Sequence, residues 1–546
     1  MTCGCVRPAH SRAGVMLRDS AVVPVPKFDI AFVGSGIACS MTLLEMAERL
    51  ACRSPATTLR IAVVERDEQF WCGIAYGRRS SIRSLAIQKL DEFVSGAEKD
   101  AYCAWLERHK DNWLTFLRAE GGEAAARWLD DNREALEQNR WGWLYLPRFL
   151  FGQFISQQMA DIIKDLAGRG LAEIETVSAE AVSADSIDGR FVIGLCPSSD
   201  RGPTEICADR LVVAIGSPPT KSLLVGDHEP AFTYINDFYD PDGESNVQRL
   251  RQALQGVSVR EQRNVLVVGS NATSLEALYL MRHDPAIRER IGSVTVISRS
   301  GVLPYLICDQ PPEFDFPRLT ALLRARTVTA IDVMAALRAD LALAAERSLN
   351  LADLYDNVDA LIGQAFRRMD QEQLAEFYWV HGMTYTRLVR RAGRDCRQAA
   401  TELAADGTLS LLAGEVIGVK PCASGGPFAR LHYRVDGSEQ MHPEQFAAVV
   451  NCGGFEELDA CSAPFLASVL RNGLCRPNRT NRGVLVNDEF EASPGFFVIG
   501  PLNGGNFTPR IRFWHVESAP RIRALAKLLA DGLVSSMPPA QIERVG

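Results

Sequence analysis

The sequence predicts an α/β protein of two similar parallel-sheet modules with a helical insertion, and three observations carry that prediction. Residues 27–50 run from an apolar stretch, Ile30 to Val33, through the corner Gly34-Ser35-Gly36 into a helix with Leu43, Leu44 and Met46 on its inner side. About 230 residues later the order returns: Val265 to Val268, the corner Gly269-Ser270-Asn271, then a helix over Ser274 to Met281. Residues 315–405 carry apolar side chains at helical period. One strand–corner–helix match is weak evidence, but two in one chain are hard to obtain by accident.

Composition narrows the classes. A chain of 546 residues exceeds one ordinary core, so several domains are expected. Apolar content of 47% and charged content of 23% are those of a globular protein. The net charge of -8 argues against a nucleic-acid partner, which calls for a basic surface. The 14 cysteines are scattered without a C-x-x-C pair or metal-type spacing, so reduced thiols and no metal are expected. No run of about eighteen apolar residues offers a membrane span. Residues 1–26 lack the apolar segment of a signal peptide and read as a disordered lead-in, so a cytoplasmic location is expected.

The first module spans residues 27–220, and its chemistry starts at the glycine corner. A strand turning through G-x-G into a helix lays a dinucleotide pyrophosphate on the helix N-terminus. Gly34 permits the turn, Gly36 the backbone approach, and Cys39 stands where a third glycine is usual. The next strand ends in Glu65, an acceptor for ribose hydroxyls or simply a surface carboxylate. Residues 84–93, with Gln88, read as a strand or a short helix entry, and residues 105–136 as an amphipathic helical stretch. Pro147 opens a strong helix with Arg148 in its first turn. A cation there opposes the helix dipole, so Arg148 serves either an anion or a salt bridge. Residues 172–213 alternate as small β elements and close on Gly216.

The second module spans residues 221–460, with the helical insertion at about 315–405. Its second strand ends in Ser298-Arg299, which suits the 2′-phosphate of NADP or is a plain surface charge. An insertion of this kind caps a site or forms a face between copies of the chain. The basic run YTRLVRRAGR within it meets an acidic group or solvent. Residues 461–546 return to the first module, with a strand at Phe496 to Ile499, the turn Gly500-Pro501, and a helix over Val516 to Leu529.

Together FVGSGIACS, GIAYG, LPRFLFGQF, LVVAIGSPP, VLVVGSNATSLE, ISRSG and VVNCGGFEE resemble the bacterial FAD/NAD(P)-binding flavoprotein family. That family groups flavoproteins having two dinucleotide-binding domains with monooxygenases related to amino-acid N-hydroxylases. The resemblance covers Phe28 to Ala530, apart from most of the insertion. It implies two Rossmann-like domains, FAD and NADPH as cofactors, and a small-molecule substrate with O2. By position, Gly34, Ser35, Gly36 and Glu65 would bind FAD, and Gly500, Pro501 and Asn503 would lie along the flavin. Gly269, Ser270, Asn271, Ser274 and Arg299 would bind NADPH. The segment IQKLDEF is similar to a stretch of the N-hydroxylases in which a glutamine contacts the flavin, which adds Gln88. The pattern F-x-G-x-x-x-H-x-x-x-W is absent between the modules, which counts against the Baeyer–Villiger branch.

The expected activity is therefore a monooxygenase that inserts one oxygen atom into a small substrate. An amino acid or amine is preferred, on the family and the spare arginines Arg148, Arg390 and Arg391. His515 and Glu517 are polar groups near the flavin or ordinary helix-capping residues. No catalytic nucleophile or acid–base dyad is readable. An NAD(P)H-dependent reductase and a flavin binder without turnover are the alternatives, and the missing C-x-x-C weighs against a disulfide reductase.

Overall fold

A computed structural model describes residues 25–53, 55, 57–199, 202–225, 230–422 and 426–536. The lead-in expected over residues 1–26 lies outside them except for its last two positions.

The chain builds two parallel sheets of matching order. The first contains β1 (Lys27–Val33), β2 (Leu59–Glu65), β3 (Ala172–Ile187), β4 (Arg190–Pro197) and β5 (Glu205–Val213), and takes β16 (Glu491–Ser493) and β17 (Phe496–Val498) from the C-terminal part. Its parallel core runs β3-β2-β1-β5-β17. The long β3 leaves that core to pair antiparallel with β4, and β4 with β5. The second sheet holds β6 (Thr233–Ile235), β7 (Asn264–Val268), β8 (Ser293–Ser298), β11 (Leu409–Ala413) and β15 (Ala448–Asn451). They run β11-β8-β7-β15-β6, all parallel. A meander of β12 (Glu415–Pro421), β13 (Ala429–Val435) and β14 (Ser438–Met441) follows β11, as β4 follows β3. The apolar runs that signalled β1 and β7 are buried on both faces, as strands covered by helices must be.

The first module closes with helix Ala519–Ser535 packed against helix Ile37–Arg53, so the chain's two ends share one core. The insertion has its own core of Phe314, Phe316, Leu319, Leu337, Ile362 and Phe377, among others, separate from that of the sheets. Two short strands, β9 (Tyr305–Leu306) and β10 (Arg391–Ala392), pair in parallel where the chain enters and leaves it. Helix Arg394–Ala405 packs on helix Ala272–Arg282 of the second module, not on the insertion.

One local alternative is resolved, in favour of the helix entry, and two expectations change. Residues 84–93 hold a four-residue helix, Leu90–Phe93, after a single bridge between Leu85 and Pro147; they form no strand of a sheet. The stretch 105–136 is a series of short helices broken at His109, Gly121 and Asn132, with Gly122 at a φ of 60° ending the continuous rise. The last helix begins at Ala519 with Pro520 in its first turn, not at Val516. Among the described residues no helix is long and apolar enough to cross a membrane.

Candidate functional site

The two glycine corners are built alike. Gly34 has a φ of 93°, and a Cβ there would stand 2.6 Å from the Ala214 carbonyl oxygen at the end of β5. Gly269 has a φ of 98°, and its Cβ would stand 2.2 Å from the Cys452 carbonyl oxygen beyond β15. Both amides are bonded across to the neighbouring strand, Gly34 to Val64 and Gly269 to Ile297, each at 2.8 Å. The sterics that require glycine at the first corner thus recur at the second. Cys39 is fully buried against the sheet, and burial pushes its thiol well up, so it acts as a small packing residue.

The Glu65 carboxylate returns to the corner. Its Oε2 accepts the Ser35 backbone N–H and the Ser35 hydroxyl, both at 2.8 Å, and Oε1 accepts the Asp67 N–H at 3.1 Å. A carboxylate offers about four acceptor positions, so about one remains for a ribose hydroxyl. The C-terminal turn completes this end: a Cβ on Gly500 would lie 3.2 Å from Cβ of Ala38 in the first helical turn. Residues 34–38 and 500–503 therefore meet, although more than four hundred positions separate them. Asn503 is fully buried; its amide donates to the Val498 carbonyl at 3.1 Å, while its Oδ1 has no partner. A buried acceptor without a donor is costly, and a flavin offers ring and ribityl donors. The corner, the acidic strand tip and this orphan acceptor fit FAD.

Gln88 sits half-buried in the bend before helix Leu90–Phe93, and among the described residues its amide makes no hydrogen bond. Arg148 is taken up by protein groups: its guanidinium pairs with Glu276 of the second module and donates to Ser80 Oγ at 2.8 Å. Burial alone would lower its pKa, but Glu276 and Tyr239 outweigh that and hold it charged.

At the second corner Ser270 is buried, and Ser274 Oγ donates to the Gly269 carbonyl at 2.8 Å, tightening the start of helix Ala272–Arg282. Asn271 caps that helix without a side-chain bond to it. Arg299 is 73% exposed and stands 3.9 Å from Glu415. A pyrophosphate fits the uncapped helix N-terminus.

The insertion packs against the loop that follows residues 500–503. A five-residue π-helical segment, Phe377–His381, leads into helix Gly382–Leu388, which lies on the loop carrying Trp514 and His515. Trp514 Nε1 donates to Thr386 Oγ1 at 2.8 Å, and its ring meets Phe377, Tyr378 and Tyr385. His515 contacts Arg521 at 2.8 Å, and its Cα would lie 3.3 Å from a Cβ on Gly504. Burial, then Arg521 and Arg482, push His515 down to about 3. Burial raises the Glu517 carboxyl against the pull of Arg521 and Arg482. Its side chain nevertheless reaches solvent. Arg482 donates to the Trp514 carbonyl at 3.5 Å, while its buried Nε has no partner. Thr386, Trp514 and Arg482 were not singled out in the sequence. The turn-rich run Asn478-Arg-Thr-Asn-Arg482-Gly was the only local signal for the arginine.

Comparison with known proteins bears on the family and the fold. Residues 31–218 match the FAD-NAD(P)-binding family. An uncharacterized protein of Mycobacterium tuberculosis (strain ATCC 25618 / H37Rv) is 68% identical over 522 residues, 95% of this chain and 98% of the relative. A protein of Mycobacterium bovis matches to the same extent. Among solved structures, the FAD-bound cadaverine monooxygenase of desferrioxamine biosynthesis from Erwinia amylovora has a TM-score of 0.52 at 11% identity. The alignment covers 93% of this chain and 95% of that one. The L-lysine 6-monooxygenase of Pseudomonas syringae has a TM-score of 0.50 at 14% identity, over 94% and 100% of the two chains. At these identities the likeness is one of fold.

Proposed function

The chain belongs to the FAD-NAD(P)-binding flavoprotein family, and on that premise we propose an FAD- and NADPH-dependent monooxygenase that places one oxygen atom of O2 in a small amine or amino acid. The observation that carries the proposal is the packing of the insertion on the loop that follows residues 500–503. There the insertion sets an aromatic cluster against Trp514, next to a neutral His515 and a Glu517 whose carboxyl is raised. Oxygen transfer needs such a place, because water admitted to the site diverts the activated oxygen to peroxide. Bound FAD supplies hydride acceptance and oxygen activation.

This chain's residues bind, orient and exclude water. The corner at Gly34 and the N-terminus of helix Ile37–Arg53 hold the FAD pyrophosphate, with Glu65 as ribose acceptor. Asn503 keeps a free, buried Oδ1 that a flavin donor would satisfy. The corner at Gly269 and Arg299 hold NADPH. His515 offers a hydrogen bond without adding a charge, and Glu517 and Arg482 supply opposite polarities for a small zwitterion. The fold-mates named for lysine and cadaverine support an amine or amino acid as substrate.

The test is flavin reduction without oxygen, followed by admission of oxygen with candidate amines and acids. Bleaching by NADPH and substrate-stimulated oxygen uptake are expected. Bleaching with reoxidation only by an added electron acceptor would assign a reductase instead, and no bleaching would leave a flavin binder without turnover.

A further inference from the structure

Two arginines at the exit of the insertion, Arg387 and Arg390, stand by the second glycine corner and its strand tip without an acidic partner among the described residues. Arg390 Nη2 lies 3.3 Å from Ser270 Oγ, in the second glycine corner. The carbonyl of Arg390 accepts the Tyr305 N–H at 3.0 Å, which ties its backbone to the loop leaving the Ser298-Arg299 strand tip. Among the described residues neither Arg387 nor Arg390 has a carboxylate within 4.0 Å. Neighbouring Arg391 is engaged, 3.5 Å from Glu92 and over the Tyr355 ring. Burial and then the charge of Arg299 lower Arg387; burial and then the charge of Arg387 lower Arg390. Among the described residues the one carboxylate within 4.0 Å of Arg299, Arg387 or Arg390 is Glu415, 3.9 Å from Arg299. Positive charge gathered without counter-ions, partly out of water, is unfavourable until an anion arrives.

We propose that the insertion completes the nicotinamide-dinucleotide site, with Arg390 gripping the pyrophosphate over the Gly269–Asn271 corner and Arg387 joining Arg299 on the adenosine 2′-phosphate. This rests on the reading of the second module as the hydride donor's site. A guanidinium fork suits a phosphate's oxygens, and the corner alone offers only uncharged donors. The same short helix bonds Trp514 through Thr386, so the residue beside Arg387 joins the aromatic cluster at the 514–515 loop.

The test uses FAD-loaded protein and titrates NADP+ and NAD+ calorimetrically, which needs no turnover. Charge-assisted bonds to phosphate are each worth about a tenfold to hundredfold in affinity. Arg390→Gln is expected to weaken both nucleotides by at least about tenfold. Arg387→Gln should weaken NADP+ by a similar factor, and NAD+ by less than about twofold. Unchanged affinities in both variants would overturn the proposal. In wild-type protein, NADP+ should slow amide hydrogen exchange over residues 382–393, and unaltered exchange there would overturn it whatever the variants do. A wild-type protein that binds neither nucleotide sinks the donor-site reading itself. Wild-type binding that is indifferent to both substitutions sinks only the insertion's share.

Discussion

Arg148 and Glu276, 128 positions apart, form a buried ion pair across the boundary of the two modules, with side chains 14% and 7% exposed. Ser84 and Tyr239 also donate to the Glu276 carboxylate. Further pairs cross the same boundary, Arg83 with Glu244, Lys89 with Asp309 and Arg127 with Glu402. Removing one partner of a buried pair leaves an uncompensated charge, at a cost of about 3–5 kcal/mol. Glu276→Ala is expected to lower stability by about 3 kcal/mol in urea denaturation. The double variant Arg148→Met with Glu276→Met should regain most of that loss, and failure to regain it would count against the pair as its source.

The two corners give separable variants. An alanine at Gly34 or Gly269 meets both a positive φ, at about 1–3 kcal/mol, and a carbonyl oxygen closer than 3 Å. Gly34→Ala should lose bound flavin, read as absorbance of the purified protein. Gly269→Ala should keep the flavin but resist reduction by NADPH. Flavin loss from both variants alike would contradict the separate roles.

His515 sets part of the acid limit of stability. The unfolded chain takes up its proton near the ordinary value of 6.5, and the folded protein only at about 3. Between these the unfolded state binds more protons, so stability rises with pH. The contribution is complete above about 6.5 and is lost as pH falls toward about 3. His515→Gln should flatten the stability–pH slope there by up to one proton, at most about 1.4 kcal/mol per pH unit. An identical slope in the variant would contradict the buried, neutral histidine.

Gly382 has ordinary helical backbone angles, so only space forbids a side chain. A Cβ there would stand 2.5 Å from Cγ of Trp514. Gly382→Ala should displace the indole and loosen the packing at the 514–515 loop, with more NADPH oxidation ending as free hydrogen peroxide. An unchanged peroxide yield would show that Trp514 does not seal the site.

Much of the frame was legible because it is local. Strands buried on both faces, β1 and β7, appear as continuous apolar runs, and each corner needs glycine for a reason visible within a few residues. Gly121-Gly122 and Pro520 also marked the helix breaks and the late helix start, had turn chemistry been weighed above apolar period. The contacts of the insertion were less legible. Thr386 meets Trp514 across 128 positions, and Arg390 meets Ser270 across 120. Such contacts depend on how an insertion with its own core docks on the sheets, which no local pattern encodes. The choice between anion and salt bridge at Arg148 likewise turned on Glu276, a residue buried in a helix of the other module.

The most direct measurement of the central claim is mass spectrometry of the product formed from NADPH, a responsive amine or amino acid, and 18O-labelled O2. The product is expected to gain one labelled oxygen atom per NADPH consumed. A product without label, or NADPH oxidation that yields only peroxide with every substrate tried, would contradict monooxygenation.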